Sequence, residues 1–232
     1  MSAQTAGSPA PQDDAINDVD ADETAPALVE EQPNRLLSQL AFWAMHVFVL
    51  AYVGVLLAAF SVQFLQGEFP CPLCMLQRYG MILASLGGLW IIMQARRGEL
   101  TRSRYAQALG LSVLAALLGA LVSVRQILLH ILPGDPGYGS AVLGYHLYTW
   151  ALITFYVVMI FVGICLLLMP RVVPRAPRRK SLQWVVSTAL IWLFIIVIGM
   201  NVIAIIFLEG FAWTLPDDPT SYNLLNQLGI GN

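Results

Sequence analysis

Cys71-Pro72-Leu73-Cys74 is a C-x-x-C pair in an uncharged turn, and Arg78 follows four residues after the second cysteine. Thiols at this spacing can close a disulfide or exchange with another one. The attacking species is a thiolate, which a nearby cation or a helix N-terminus favours. If a helix begins beside Cys74, Arg78 stands at i+4 on the same face, and the positive end of the helix lies close to the sulfur. The same pair could be half of a zinc site or an inert surface disulfide. A structural zinc site needs four ligands. His130 and His146 could in principle complete one, but nothing in their spacing demands it. Redox chemistry is the leading reading, and no metal is expected.

The elements that must hold this pair are hydrophobic spans. The 232 residues are 58% hydrophobic and 11% charged, with a mean hydropathy of +0.70. Water-soluble domains carry about 25% charged residues. Charge-free runs cover 36–67, 79–95, 105–124, 136–170 and 181–208. About 20 such residues cross a bilayer as a helix. The second run reaches that length once its start moves back to Met75, which brings Arg78 into the helix. The pattern predicts five transmembrane helices at roughly 40–65, 75–94, 106–131, 147–169 and 183–208, hence an all-α membrane protein. Continuous rather than alternating runs favour helices over a barrel.

Eight of the fourteen acidic residues fall within the first 31 positions. That stretch has almost no bulky apolar residue, so 1–37 is expected to be a disordered acidic tail, solvated rather than docked. It lacks the basic start and early apolar run of a cleavable signal peptide, so the first span should remain as an anchor. The remaining divisions are a core at 38–170, a Pro-rich basic connector at 171–182, and a fifth helix with its tail at 183–232. Within that tail, Leu224, Leu225 and Leu228 have helical spacing suited to the membrane surface or a partner. Nothing in the chain calls for nucleic acid.

Arginine placement sets the expected orientation. Arg96, Arg97, Arg102 and Arg104 crowd one link; Arg171, Arg175, Arg178, Arg179 and Lys180 crowd another, two spans away. These nine of twelve basic residues lie on one side, which the positive-inside rule makes cytoplasmic. Segments 67–74, 132–146 and 209–232 contain no Lys or Arg and face outward. The expectation is a bacterial inner-membrane protein with a cytoplasmic N-terminus, the cysteine pair and C-terminus being in the periplasm. That compartment is oxidising, so disulfides persist there.

Arg78 and Arg125 are the two arginines within spans, near the outer ends of helices 2 and 3. A charge at a helix centre costs on the order of 2.5–3.5 kcal/mol, so such residues have a partner, a task, or a route to the headgroups. The functional alternative is a cationic pocket that stabilises a thiolate and binds an electron-rich ring. Gln126 and His130 stand ready to donate hydrogen bonds to carbonyl oxygens of such a ligand. Phe64, Phe69, Tyr79, Tyr138, Tyr145, Tyr148 and Trp150 collect at the same level as an interfacial belt, and Trp150 could also wall a cofactor cleft. Cys165, roughly 25 Å below the outer surface by helical rise, is too far to join the pair and reads as a small core residue.

The segment Phe69-Pro70-Cys71-Pro72-Leu73-Cys74-Met75-Leu76-Gln77-Arg78-Tyr79 resembles the active-site segment of the disulfide bond formation protein B (DsbB) family, whose pattern is C-x-L-C, three residues, then arginine. Arg125-Gln126-Ile127-Leu128-Leu129 is similar to that family's R-Q-x-x-L stretch closing the third helix. The resemblance covers about 38–170 and implies a four-helix bundle of DsbB type, to which this chain adds a fifth helix. It implies a disulfide that accepts electrons from a periplasmic thioredoxin-like, DsbA-like dithiol oxidase and passes them to ubiquinone or menaquinone from the membrane pool. Carried over, Cys71 handles thiol exchange, Cys74 faces the quinone and Arg78 stabilises the Cys74 thiolate. Cofactor contacts would come from Cys74, Arg78, Arg125, Gln126 and His130.

Two departures stand out. The family's second outer loop normally carries another cysteine pair; here that loop, 132–146, has none, and Tyr138 sits between glycines where the family often has cysteine. The fifth helix is the other departure. The leading expectation is therefore a two-cysteine oxidoreductase whose single pair meets both thiol protein and quinone. The alternatives are a redox carrier that hands electrons to another membrane protein, and an assembly or scaffold protein whose Cys71–Cys74 disulfide is structural.

Overall fold

The computed structural model describes residues 35–175, 182–212 and 216–230. Its elements are α1 (Arg35–Leu65), α2 (Pro72–Arg97), α3 (Arg102–Leu129), strands β1 (Ala141–Val142) and β2 (Tyr145–His146), α4 (Leu147–Leu168), α5 (Leu182–Glu209), a single 3-10 turn (Gly210–Ala212) and the short α6 (Asn223–Gln227). The five long helices α1–α5 are each long and apolar enough to cross a membrane. The protein is an all-α membrane protein, and each of the five expected spans is present within a few residues of its expected ends. Helix α1 starts at Arg35, inside the segment read as an acidic tail. The rest of that tail, and Arg178, Arg179 and Lys180 of the connector, lie outside the described residues.

Helix α2 is the centre of the bundle. Cys71 caps its N-terminus with Pro72 at the first helical position, where a missing N–H costs nothing. Gly98, at φ 72°, closes the other end, and Thr101 caps α3 by accepting the Arg104 N–H. The short link makes α2 and α3 antiparallel neighbours. In a bilayer the hydrophobic effect does not hold helices together, so close packing of small residues does. Such residues line this seam. A Cβ on Gly80 would lie 3.0 Å from the Gly119 Cα, and one on Gly87 would overlap the Ala108 carbonyl and the Ser112 hydroxyl. Ser112 Oγ crosses the seam to donate to the Ala84 carbonyl at 2.8 Å.

Helix α4 packs on α3, its Phe155 ring filling the space beside Gly119 and Gly80. Ring contacts also join it to α1, with Phe48–Phe161 at 5.5 Å and Tyr52–Phe155 at 6.2 Å. Helix α5 packs against α1 and α2. Buried His46 on α1 bonds the Ser187 hydroxyl at 2.8 Å, and Arg96 on α2 donates to Thr188 Oγ1 at 2.8 Å while lying 3.8 Å from the Trp184 ring centroid. Between α3 and α4, β1 and β2 form a hairpin pairing Ala141 with His146 and Val142 with Tyr145. Leu143 and Gly144 make its turn, both at positive φ (54° and 84°), as a two-residue hairpin of this hand requires. Trp150 Nε1–H holds the hairpin down by donating to the Val142 carbonyl at 2.9 Å.

The seam makes a stability prediction. Gly87→Ala forces a methyl against backbone and lowers the melting temperature in detergent, for a cost of about 1–3 kcal/mol. Gly110→Ala, with nothing within 4 Å of the added carbon, leaves it unchanged. Equal melting temperatures for the two variants would contradict the close approach.

Candidate functional site

At the cysteine end of α2 the two sulfurs are 2.8 Å apart, and Cys71 Sγ accepts the Cys74 N–H at 3.3 Å as the helix cap. Cys71 is buried, at 5% exposed, whereas Cys74 is half-buried. The hydrogen that Cys71 shares with Cys74, reinforced by burial, pushes the Cys71 thiol above the ordinary thiol range.

An amide from α3 completes the sulfur environment. Gln126 Nε2 reaches Cys71 Sγ at 3.4 Å and Cys74 Sγ at 3.5 Å. Its Oε1 accepts from Gln77 Nε2 at 2.8 Å and lies 3.9 Å from Cys74 Sγ, so the amide bridges Gln77 and the sulfurs. Both glutamines are buried (4% and 1% exposed), so water cannot replace these bonds. Gln126 thus turns towards the sulfurs, rather than into a ligand cleft as its sequence position suggested.

Arg78 is buried one turn behind Cys74. Its Nη1 donates to Gln63 Oε1 at 2.8 Å and its Nη2 to the Ala59 carbonyl at 3.2 Å, and the guanidinium stands 5.2 Å from the Phe60 ring centroid. These contacts anchor the charge inside the protein and leave donors of the five-N–H guanidinium for a ligand. Beside it opens a cavity of about 420 Å³ between α1, α2 and α4, beneath the hairpin. Cys74, Gln77 and Arg78 line one wall, Ala58, Ala59 and Val62 another, and Tyr148, Trp150 and Ala151 a third. The walls are largely apolar with a few convergent polar groups, the usual character of a small-molecule site.

The remaining expected residues lie elsewhere. Arg125 is exposed on α3, because its neighbour Gln126 takes the inward face and one residue turns the helix by about 100°. His130 Nδ1 pairs with Asp135 at 3.1 Å and its ring stacks on Tyr148 at 5.8 Å, so it touches the cavity wall from behind. The Gly137 N–H and then His130 hold the Asp135 carboxyl below the usual carboxylate range. Cys165 sits beside the Tyr105 hydroxyl, away from Cys71 and Cys74.

The loop between α3 and α4 is tied across the one between α1 and α2. The Tyr138 hydroxyl donates to the Phe69 carbonyl at 2.6 Å, and Glu68 accepts from the Ser140 N–H and hydroxyl. Gln63 and Gln77 were not singled out from sequence, although an uncharged amide in an apolar span is itself a signal that a partner exists.

Fold and site define a multi-pass helical membrane protein with a dithiol, a buried guanidinium and an apolar cavity at one helix mouth. Residues 41–139 match the family described as disulfide bond formation protein DsbB, so that part of the chain is similar to that family. It is 36% identical over 102 residues to disulfide bond formation protein B of Marinobacter nauticus, covering 43% of this chain and 58% of the relative. Against the protein of that name from Chromobacterium violaceum it is 40% identical over 85 residues, 37% of this chain and 49% of the relative. For Polaromonas naphthalenivorans the figures are 33% over 106 residues, 45% and 55%. The chain spans about half the length of the curated relatives it matches. No solved structure matches it.

Two outcomes check this geometry. Tyr138→Phe removes the tie to Phe69 and speeds alkylation of Cys71 in the reduced protein about threefold to tenfold, roughly one hydrogen bond's worth. Gln77→Leu leaves the Gln126 amide unfixed and slows alkylation of Cys74 by a similar factor, read by mass spectrometry of the labelled peptides. Unchanged labelling rates would contradict the respective contacts.

Proposed function

We propose that this protein is a membrane thiol–disulfide oxidoreductase that oxidises a periplasmic thioredoxin-like dithiol protein and passes the electrons to a membrane quinone. The observation that carries the reading is that Cys74 and Arg78 share a wall of the apolar cavity, while Cys71 lies within bonding reach of Cys74 on the side away from it. In the first half-reaction a partner thiolate attacks the Cys71–Cys74 disulfide at Cys71. The resulting mixed disulfide is resolved by the partner's second thiol, leaving a partner disulfide and two thiols on this chain. The tie between Tyr138 and Phe69 must loosen for Cys71, buried here, to meet a protein.

The cavity fits a quinone ring by size, apolar walls and the guanidinium placed to meet a carbonyl oxygen. A bound ubiquinone or menaquinone would supply a two-electron, two-proton acceptor through which the dithiol could be returned to the disulfide. Cys74 borders that space, Arg78 holds the ligand and favours the Cys74 thiolate, and Gln126 supports both sulfurs from the opposite side. His130 braces Tyr148, and Arg125 contributes its charge at the surface, towards the headgroups. Clustering of basic residues at the other end of the bundle supports an inner-membrane location with the cysteines facing the periplasm.

Purified protein should reduce quinone anaerobically when given a reduced dithiol partner. Cys71→Ser or Cys74→Ser should abolish turnover, and Arg78→Ala should keep the disulfide yet raise the quinone KM about tenfold, as loss of a charge-assisted hydrogen bond does. Turnover that survives either cysteine change would sink the proposal. Full cellular function in a Cys71→Ser strain would favour the scaffold reading instead.

A further inference from the structure

The segment that follows α5 lies outside the family match, yet it reaches the redox site. Gly210 bends the chain at φ 65°, and Gln227 Oε1 accepts the Phe211 N–H at 2.7 Å, so the return leg with α6 folds against the end of α5. This places the Tyr222 ring between two edge-on partners. One is Phe69, in the turn before Cys71, at 4.9 Å; the other is Phe207 of α5 at 6.4 Å. The Tyr222 hydroxyl accepts from Gln63 Nε2 at 3.4 Å. Gln63, 3% exposed, spends its other amide atom on Arg78 Nη1 at 2.8 Å. Arg78 therefore decides which end of that amide accepts, and Tyr222 holds the opposite end. The amide cannot swing without losing both bonds in a place that water does not reach.

We propose that Tyr222 is a positioning residue of the redox site: by anchoring the Gln63 amide and bracing Phe69, it sets where the Arg78 guanidinium stands relative to Cys74. The inference rests on the thiol–quinone reading and assigns a task to a part of the chain that the family match does not cover. Phe69 precedes Cys71 by two residues, so one side chain steadies both the turn that carries the cysteines and the cation behind them.

The test is alkylation of Cys74 across pH in the full chain carrying Cys71→Ser, which needs neither partner nor quinone. Tyr222→Phe keeps both ring contacts and loses the hydroxyl. It should slow alkylation at pH 7 about threefold, the effect of one weak hydrogen bond, and shift the pH profile upward. Tyr222→Leu should shift it further. In an Arg78→Lys background, where the fork that binds Gln63 is gone, Tyr222→Phe should have no additional effect. An unchanged profile in Tyr222→Phe would overturn the proposal, as would an effect of equal size in the Arg78→Lys background. If Tyr222→Leu does not fold, Tyr222→Phe alone decides. Absence of quinone reduction by the wild-type protein would refute the redox function while leaving this readout intact, so the two failures are distinguishable.

Discussion

The approach of α2 to α3 is closer than ordinary side chains allow, and the site depends on it. Gly80 faces Gly119 and Gly87 faces Ala108 and Ser112, so backbone nearly touches backbone at two levels of the bundle. Small residues are the means by which helices gain contact where lipid is as apolar as they are. Nearer the cysteines, the same spacing lets two glutamines bridge the helices directly, Gln77 from one and Gln126 from the other. A bulkier seam would part those amides, and the N–H groups now aimed at both sulfurs would lose their targets.

A buried guanidinium imposes the second condition. Arg78 must be paid for in hydrogen bonds, and its partners come from α1 through Gln63 and the Ala59 carbonyl. That requirement fixes the rotation of α1 against α2. It also opens the cavity, since the face of α1 beside Arg78 carries alanine and valine where larger residues would fill the space. Helix α5 then closes the far side of α1, held at one end by His46–Ser187 and Arg96–Trp184 and at the other by the folded-back tail.

What could be read from the residues alone follows from the physics of the bilayer. Continuous apolar runs must be helices because no other backbone satisfies itself in lipid, so all five spans and the position of Cys71 at a helix mouth were legible. Arg78 was legible too, since a lone cation in a span needs an explanation. The partners were not. Gln63 is fifteen residues from Arg78 and Tyr222 is 159 from Gln63, and only tertiary packing brings them together. Arg125 illustrates the opposite case. It is likewise an arginine within two turns of a helix end, but on a face directed outward, and the family motif did not reveal which face that would be.

Cys71 is the cap of a helix and, in the proposed function, also a redox atom. Its sulfur accepts the Cys74 N–H, and on oxidation that sulfur becomes covalently joined to the residue whose N–H it was accepting. Redox state and the order of the first turn of α2 are therefore linked in one thermodynamic cycle. Whatever the cap contributes to the thiol form and not to the disulfide form adds to the pair's tendency to accept electrons, by roughly 20 mV for each kcal/mol. The oxidising strength of the pair is in part a property of how a transmembrane helix begins.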